Sequence, residues 1–236
     1  MRAIVAIGGG DFKLGETIKI DKYIVSLANK EHPKLLFIPT ASEDSLIYCE
    51  QIKDYFGHFG CEVDSLLLFT ERNRRIIKEK ILNADIIYVG GGDTNILIDK
   101  WREMHVDTYL VQAYERGCIM TGLSAGAICW FNEGFVERDP NLNSGIWCFD
   151  DCHCLGLING YCCPHYNQGP HELFDNFIST NNQIGYGIED SAAIVCIDDE
   201  MSVFTSRDPF DVKVLKPHYY GLDKEEYKNG EKIIIE

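Results

Sequence analysis

The feature that most narrows the fold is an alternation in the first half of the chain. Short runs rich in β-branched residues (Ala3 to Ile7, Lys34 to Ile38, Val63 to Leu68, Asp85 to Val89, Cys118 to Leu123) alternate with segments of helical periodicity at Glu16 to Asn29, Ser45 to Phe59, Arg74 to Asn83 and Thr94 to Arg116. Consecutive strands can lie parallel only if a crossover carries the chain back, and a helix packed on the sheet is the usual right-handed crossover. The pattern predicts an α/β fold with a mostly parallel sheet and helices on both faces. From Phe135 to Asn159 the chain is irregular, rich in Asn, Asp, Gly and Cys, and reads as loops with one or two short strands. A helix is expected around His171 to Ser179. Closely spaced strand-like runs at Tyr186 to Ile188, Ala192 to Ile197, Met201 to Thr205 and Val212 to Leu215 predict antiparallel hairpins on one edge. No repeat or linker divides the 236 residues, so one domain, 1–236, is expected.

Charge and cysteine usage bound the function. With 22 Lys and Arg against 37 Asp and Glu, the net charge of −15 repels polyanions and gives no footprint for nucleic acid or an anionic membrane. The amino-terminal apolar stretch runs straight into glycines, unlike a signal peptide, and no run approaches the ~20 apolar residues of a membrane span. A soluble cytoplasmic protein is expected, with its 10 cysteines reduced. Cys148, Cys152, Cys154, Cys162 and Cys163, with His153 among them, lack paired C-x-x-C knuckles and an H-x-x-x-H follow-up, so no metal is expected. Gly8-Gly9-Gly10 after the first strand does not complete G-x-G-x-x-G, and no Walker lysine follows, so no nucleotide or other cofactor is expected.

The chemistry centres on Thr121 to Phe131, TGLSAGAICWF. Gly122-Leu123-Ser124-Ala125-Gly126 fits the G-x-S-x-G nucleophile elbow, in which a serine sits on a sharp strand-to-helix turn. Its context fits too, with an apolar strand before it and a helix-like segment after. In an open parallel sheet, ligands bind beyond the carboxyl ends of the strands. The turns Gly8 to Gly10, Gly90 to Thr94 and Gly122 to Gly126 all lie at such ends and should face one side.

An activated serine needs a base, and the base an orienting acid. Of the 7 histidines, His32, His58 and His105 lie in or beside predicted helices, and His153 belongs to the cysteine-rich loop. His165, in YCCPHYN, follows an apolar strand and a proline. His218, in KPHYY, is its rival, because Ser124, Asp198 or Asp199, and His218 would follow the Ser, acid, His order of α/β-hydrolases.

Four motifs in order, GGGDTN at 90–95, GLSAGAICWF at 122–131, CPHYN at 163–167 and GIED at 187–190, resemble the serine peptidase family of peptidase E (aspartyl dipeptidase) and cyanophycinase. The resemblance implies a three-layer α/β/α sandwich similar to class I glutamine amidotransferases, with Ser124 as nucleophile, His165 as general base and Glu189 as the triad acid. It leaves His218 a bystander. Read from the residues alone, Asp190 or an acid between Glu133 and Asp139 could orient the histidine instead. The oxyanion donors expected are the backbone N–H groups of Ala125 and Gly92.

These readings predict a serine exopeptidase or dipeptidase acting on small peptides, as a monomer or homodimer. An esterase or other amidohydrolase with the same triad, and a binding protein without turnover, are the alternatives. Aspartate-directed members of the family need charged groups to hold their substrates. After His165 this chain reads YNQGPHELFDNF, which offers no arginine for that task.

Overall fold

The computed structural model describes residues 1–138, 148–169, 171–219 and 221–235. In chain order its elements are β1 (Ala3–Ile7), α1 (Ile18–Leu27), β2 (Lys34–Ile38), α2 (Leu46–Gly57), β3 (Glu62–Ser65), α3 (Arg74–Leu82), β4 (Ile86–Val89), α4 (Thr94–Met104), α5 (Val106–Glu115), β5 (Ile119–Leu123), α6 (Ala125–Ile128), β6 (Phe131–Arg138), β7 (Cys148–His153), β8 (Ile158–Cys163), α7 (His171–Thr180), β9 (Gly185–Ile188), β10 (Ala192–Ile197), β11 (Glu200–Thr205), β12 (Val212–His218), β13 (Gly221–Tyr227) and β14 (Lys232–Ile233).

The expected alternation builds the larger sheet. Its order is β14-β11-β10-β1-β5-β4-β2-β3, and the run from β1 to β3 is parallel throughout. The strands β10, β11 and β14 extend it antiparallel from the β1 edge. Successive residues of a strand point to opposite faces, so a strand covered on both faces is apolar throughout. In β1, Ile4 and Ala6 join the core beneath α4 and α5, while Ala3, Val5 and Ile7 join the core beneath α1 and α2. Helices therefore cover both faces of the sheet, as a three-layer α/β/α arrangement requires.

The sequence from Glu16 to Asn29 condenses into α1, ten residues long, which buries Ile20 and Ile24. The single helix expected from Thr94 to Arg116 is two helices. His105 at φ 59° ends α4 in the left-handed conformation and redirects the chain into α5.

A second sheet, of order β13-β12-β9-β8-β6-β7, is the larger departure from expectation. The strands foreseen as hairpins on one edge divide between the sheets: β10 and β11 join the first, whereas β9 and β12 pair in the second. The region read as loops with one or two short strands contains β7 and the end of β6, which pair antiparallel from Glu133–His153 to Arg138–Cys148. The helix α7 covers part of this sheet, burying Phe174 and Ile178 with Phe135, Tyr161 and Leu215. The one-turn α6 joins the two sheets, running from the end of β5 almost directly into β6.

Candidate active site

The carboxyl ends of β1, β5 and β4 lie side by side, with Ile7 opposite Leu123 and Val89 opposite Gly122. The three glycine-bearing turns consequently face one side. Ser124 sits at φ 59°, ψ −115°, a strained conformation for a residue with a side chain, between β5 and α6. Its neighbours explain the elbow's glycines. A Cβ on Gly122 would fall 2.3 Å from the Gly126 carbonyl oxygen, and one on Gly126 would fall 2.1 Å from that of Val89. The turn is fixed by the backbone bonds Ser124 N–H to Ile7 O at 3.0 Å and Ala127 N–H to Ser124 O at 2.8 Å.

His165 arrives from the second sheet, just beyond β8. Its φ of 51° turns the chain sharply, and its N–H donates to Gly8 O at 3.2 Å. The imidazole Nε2 lies 3.0 Å from Ser124 Oγ and Nδ1 lies 2.8 Å from Asp190 Oδ1. A carboxylate only accepts, so Nδ1 carries the proton and Nε2 is free to accept from the serine hydroxyl. His218 plays no part in this constellation. It pairs with Asp223 at 3.6 Å, and Asp198 and Asp199 are held by the backbone and guanidinium of Arg2.

The acid at the histidine is Asp190, and the expectation that Glu189 would stand there is corrected. Adjacent residues at a strand end point to opposite sides. Glu189 turns its carboxylate to the Asp211 N–H at 3.0 Å and to Lys213 at 3.8 Å. Asp190, 6 % exposed, points to His165. Glu133, another candidate, accepts from His153 instead, and Asp139 lies outside the described residues.

Asp190 is a well-supported carboxylate. It accepts from Gln168 Nε2 and from Asn167 Nδ2 at 3.4 Å, while its own N–H donates to Asn167 Oδ1 at 2.8 Å. Burial alone would push its carboxyl up, but the imidazole, Gln168 and Asn167 together outweigh burial and hold it below the usual carboxylate value. Asn167 closes the motif CPHYN and Gln168 follows it, and this polar pair after the histidine was the available signal for this support.

Gly9 explains the first glycine turn. A Cβ there would lie 2.0 Å from Asp190 Oδ1 and 2.3 Å from His165 Nδ1, so the backbone has to leave this space empty for the pair to meet. The turn that resembles a phosphate loop in sequence is a seat for the imidazole and carboxylate.

A cleft of about 700 Å³ opens over Ser124 and is bordered by Gly92, Ala125 and His165. Gly92 has φ 142° and packs against the Ala41 carbonyl, which a Cβ would approach to 2.1 Å. Among the described residues no acceptor engages the N–H of Gly92 or of Ala125. Two unclaimed donors therefore border the cleft of the serine. Cys163 also lines it, but burial pushes its thiol up to about 12, so it is no thiolate at neutral pH. Among the described residues no group of three or more His, Cys, Asp and Glu side chains is placed to hold a metal ion, and no helix is long and apolar enough to cross a membrane.

The model of peptidase family S51 matches residues 4–204. This chain belongs to that family. As a member of S51 it is a peptidase. The uncharacterized peptidase YgaJ of Bacillus subtilis (strain 168) is 34 % identical over 208 residues, covering 85 % of this chain and 86 % of YgaJ. The uncharacterized peptidase PM1590 of Pasteurella multocida (strain Pm70) is 29 % identical over 153 residues, 64 % of this chain and 73 % of that protein. Among solved structures, a peptidase from an acI-B1 Actinobacterium superposes with a TM-score of 0.76 at 20 % identity, covering 100 % of this S51 chain and 97 % of its own. A putative peptidase E protein from Listeria monocytogenes EGD-e gives 0.64 at 22 % identity, over 87 % and 98 %. These likenesses establish the fold expected from the sequence.

Proposed function

We propose that the chain is a serine exopeptidase of the dipeptidase kind, hydrolysing short peptides through an acyl-enzyme on Ser124. The observation that carries this reading is the continuous hydrogen-bonded series Ser124 Oγ, His165 Nε2, His165 Nδ1 and Asp190 Oδ1, with steps of 3.0 and 2.8 Å. His165 takes the hydroxyl proton as Ser124 attacks the amide carbonyl, then gives it to the leaving amine. Asp190 holds the imidazole tautomer and stabilises the imidazolium. The N–H groups of Gly92 and Ala125 receive the negative charge that develops on the carbonyl oxygen. Water, activated by the same histidine, releases the acyl group and restores the serine.

The cleft of about 700 Å³ is within the range of small-ligand sites and suits a short peptide. No side chain beyond this set is needed for the proton transfers. The test is a defined mixture of di- to hexapeptides incubated with the wild type and with Ser124→Ala, the products being identified by mass spectrometry. Cleavage by the wild type alone is expected. Intact peptides beside turnover of aryl esters would replace this reading with an esterase. If neither peptides nor esters turned over and a serine-reactive phosphonate failed to label Ser124, the chain would be a binding protein on this fold.

A further inference from the structure

Two clefts meet at His165, and their chemistry differs. The first contains Ser124 with the donors Gly92 and Ala125. The second, about 460 Å³, touches His165 and Asp190 from the other side and is bordered by Asp11, Lys13 and Glu16. Acylation places the carbonyl carbon on Ser124 and its oxygen at the donors, so the acyl residue lies in the first cleft. The leaving nitrogen must face the histidine that protonates it. The leaving residue therefore extends toward the second cleft.

The acyl cleft has an apolar floor. Ile128, Phe135, Val136 and Tyr166 line it and are 3–5 % exposed. These side chains are fixed from behind. Phe135 packs on Phe174 and Phe177 with ring centroids 5.1 and 5.0 Å away, and Ile128 fills the space that a Cβ on Gly134 would need. The rim carries the neutral amides Asn95 and Gln168, and His171, whose ring lies 5.2 Å from that of Tyr166. Among the described residues lining the cleft there is no lysine or arginine, and the carboxylate present, Asp93, would repel an acidic guest. Lys224 stacks on Tyr166 at 4.8 Å, but it is paired with Asp175 at 2.9 Å and does not line the cleft.

We propose that this cleft selects an uncharged, apolar side chain on the acyl residue, as in leucyl or phenylalanyl peptides, and rejects an acidic one. The proposal rests on the serine peptidase reading above. A carboxylate entering here would shed its water against hydrocarbon and meet no cation among the described lining residues, whereas an alkyl or aryl group would exchange water for a fitted apolar wall. Discrimination between substrates appears in kcat/KM.

The test uses the full chain and four series of short peptides that differ only in the acyl-position residue: Leu, Phe, Asp or Arg. Initial rates are read by mass spectrometry, with Ser124→Ala as the blank. Leucyl or phenylalanyl peptides should exceed aspartyl ones by about 100-fold in kcat/KM. Aspartyl or arginyl peptides cleaved at equal or higher rates would overturn the proposal and leave the peptidase reading intact. Cleavage of none of the four would remove that reading and the proposal with it. The exposed rim position gives a second check: His171→Arg adds a cation without disturbing the core and should improve aspartyl relative to leucyl peptides by about fivefold. An unchanged ratio would place the side chain elsewhere and overturn the assignment.

Discussion

The two sheets contribute to the site in different ways. The larger sheet supplies what the backbone can fix: the strained serine between Gly122 and Gly126, and the N–H groups at Gly92 and Ala125. Its central parallel strands β1, β5 and β4 are buried on both faces and paired in register up to the turns that carry the site. The smaller sheet supplies what side chains must adjust: His165 beyond β8, and Asp190 just after β9. The lesson is a division of labour. On the proposed mechanism, the N–H groups that would meet developing charge sit on the larger sheet, and the imidazole that would move a proton is brought in from the second sheet and held by its own hydrogen bonds.

The most severe way to test that division is to remove one member from each side. Ser124→Ala and His165→Ala should each lower kcat/KM for a cleaved peptide by about 10⁴-fold or more, and the double variant should be little worse than either, because the residues act as a unit. Additive losses in that cycle would show that the two sheets contribute independently. Circular dichroism and thermal melting should be unchanged in all three proteins.

The two adjacent acids give the next largest contrast. Asp190→Asn keeps the shape of the site but favours the wrong imidazole tautomer, and a loss of about 10⁴-fold in kcat is expected. Among the described residues Glu189→Gln affects the Asp211 N–H and Lys213, which retains Asp211 at 3.7 Å and Glu226 at 2.7 Å, so its rate should stay near that of the wild type. The reversed ranking in steady-state kinetics would restore Glu189 as the acid. Gly9→Ala tests the seam between the sheets. The added methyl displaces the imidazole and carboxylate by a fraction of their contact distance, which should cost about 10²-fold in kcat with the fold retained. A fully active Gly9→Ala protein would mean that the pair has room it does not show.

The two sheets also differ in how plainly their residues announce them. Runs such as AIVAI, buried on both faces, announce a parallel sheet, and a G-x-S-x-G between a strand and a helix announces its elbow. The outer strands of the second sheet hide because they carry charge along their length: CFDDCH in β7 and GLDKEEY in β13 have no apolar run to give them away. The resemblance implied Glu189 beside the histidine, where the fold puts Asp190, and the residues alone left both open for a related reason. Side chains along a strand alternate with a period of two, and a sequence does not reveal where β9 ends, so it cannot phase Glu189 against Asp190. In the fold both members of the polar pair Asn167 and Gln168 reach Asp190.

Asp190 has a buried counterpart on the larger sheet's own side. Asp21, in α1, accepts from Thr17 Oγ1 at 2.7 Å and Tyr55 Oη at 2.8 Å, but both bond the same oxygen, and Oδ1 is buried without a partner. Burial outweighs these two hydrogen bonds and pushes its carboxyl up to about 6, against the unperturbed value of 3.8, whereas the imidazole and amides hold Asp190 down. The consequences for stability have opposite signs. Asp190 adds stability above the unfolded carboxylate value, and loses it as pH falls through its lowered folded value. Between about pH 4 and 6 the folded chain keeps a proton on Asp21 that the unfolded chain has released, so stability falls as pH rises through that window. Once both states are ionised, the cost is on the order of 3 kcal/mol. Asp21→Asn removes the ionisation and keeps the acceptor for Thr17 and Tyr55, but leaves an amide N–H₂ where Oδ1 was unpaired. A net gain of about 1–2 kcal/mol above pH 7 is expected, read as a higher midpoint in denaturant, with the fall between pH 4 and 6 reduced. Because this acid lies apart from the proton relay, kcat should not change. An unchanged pH profile of stability would mean that Asp21 is not the strained acid of the larger sheet.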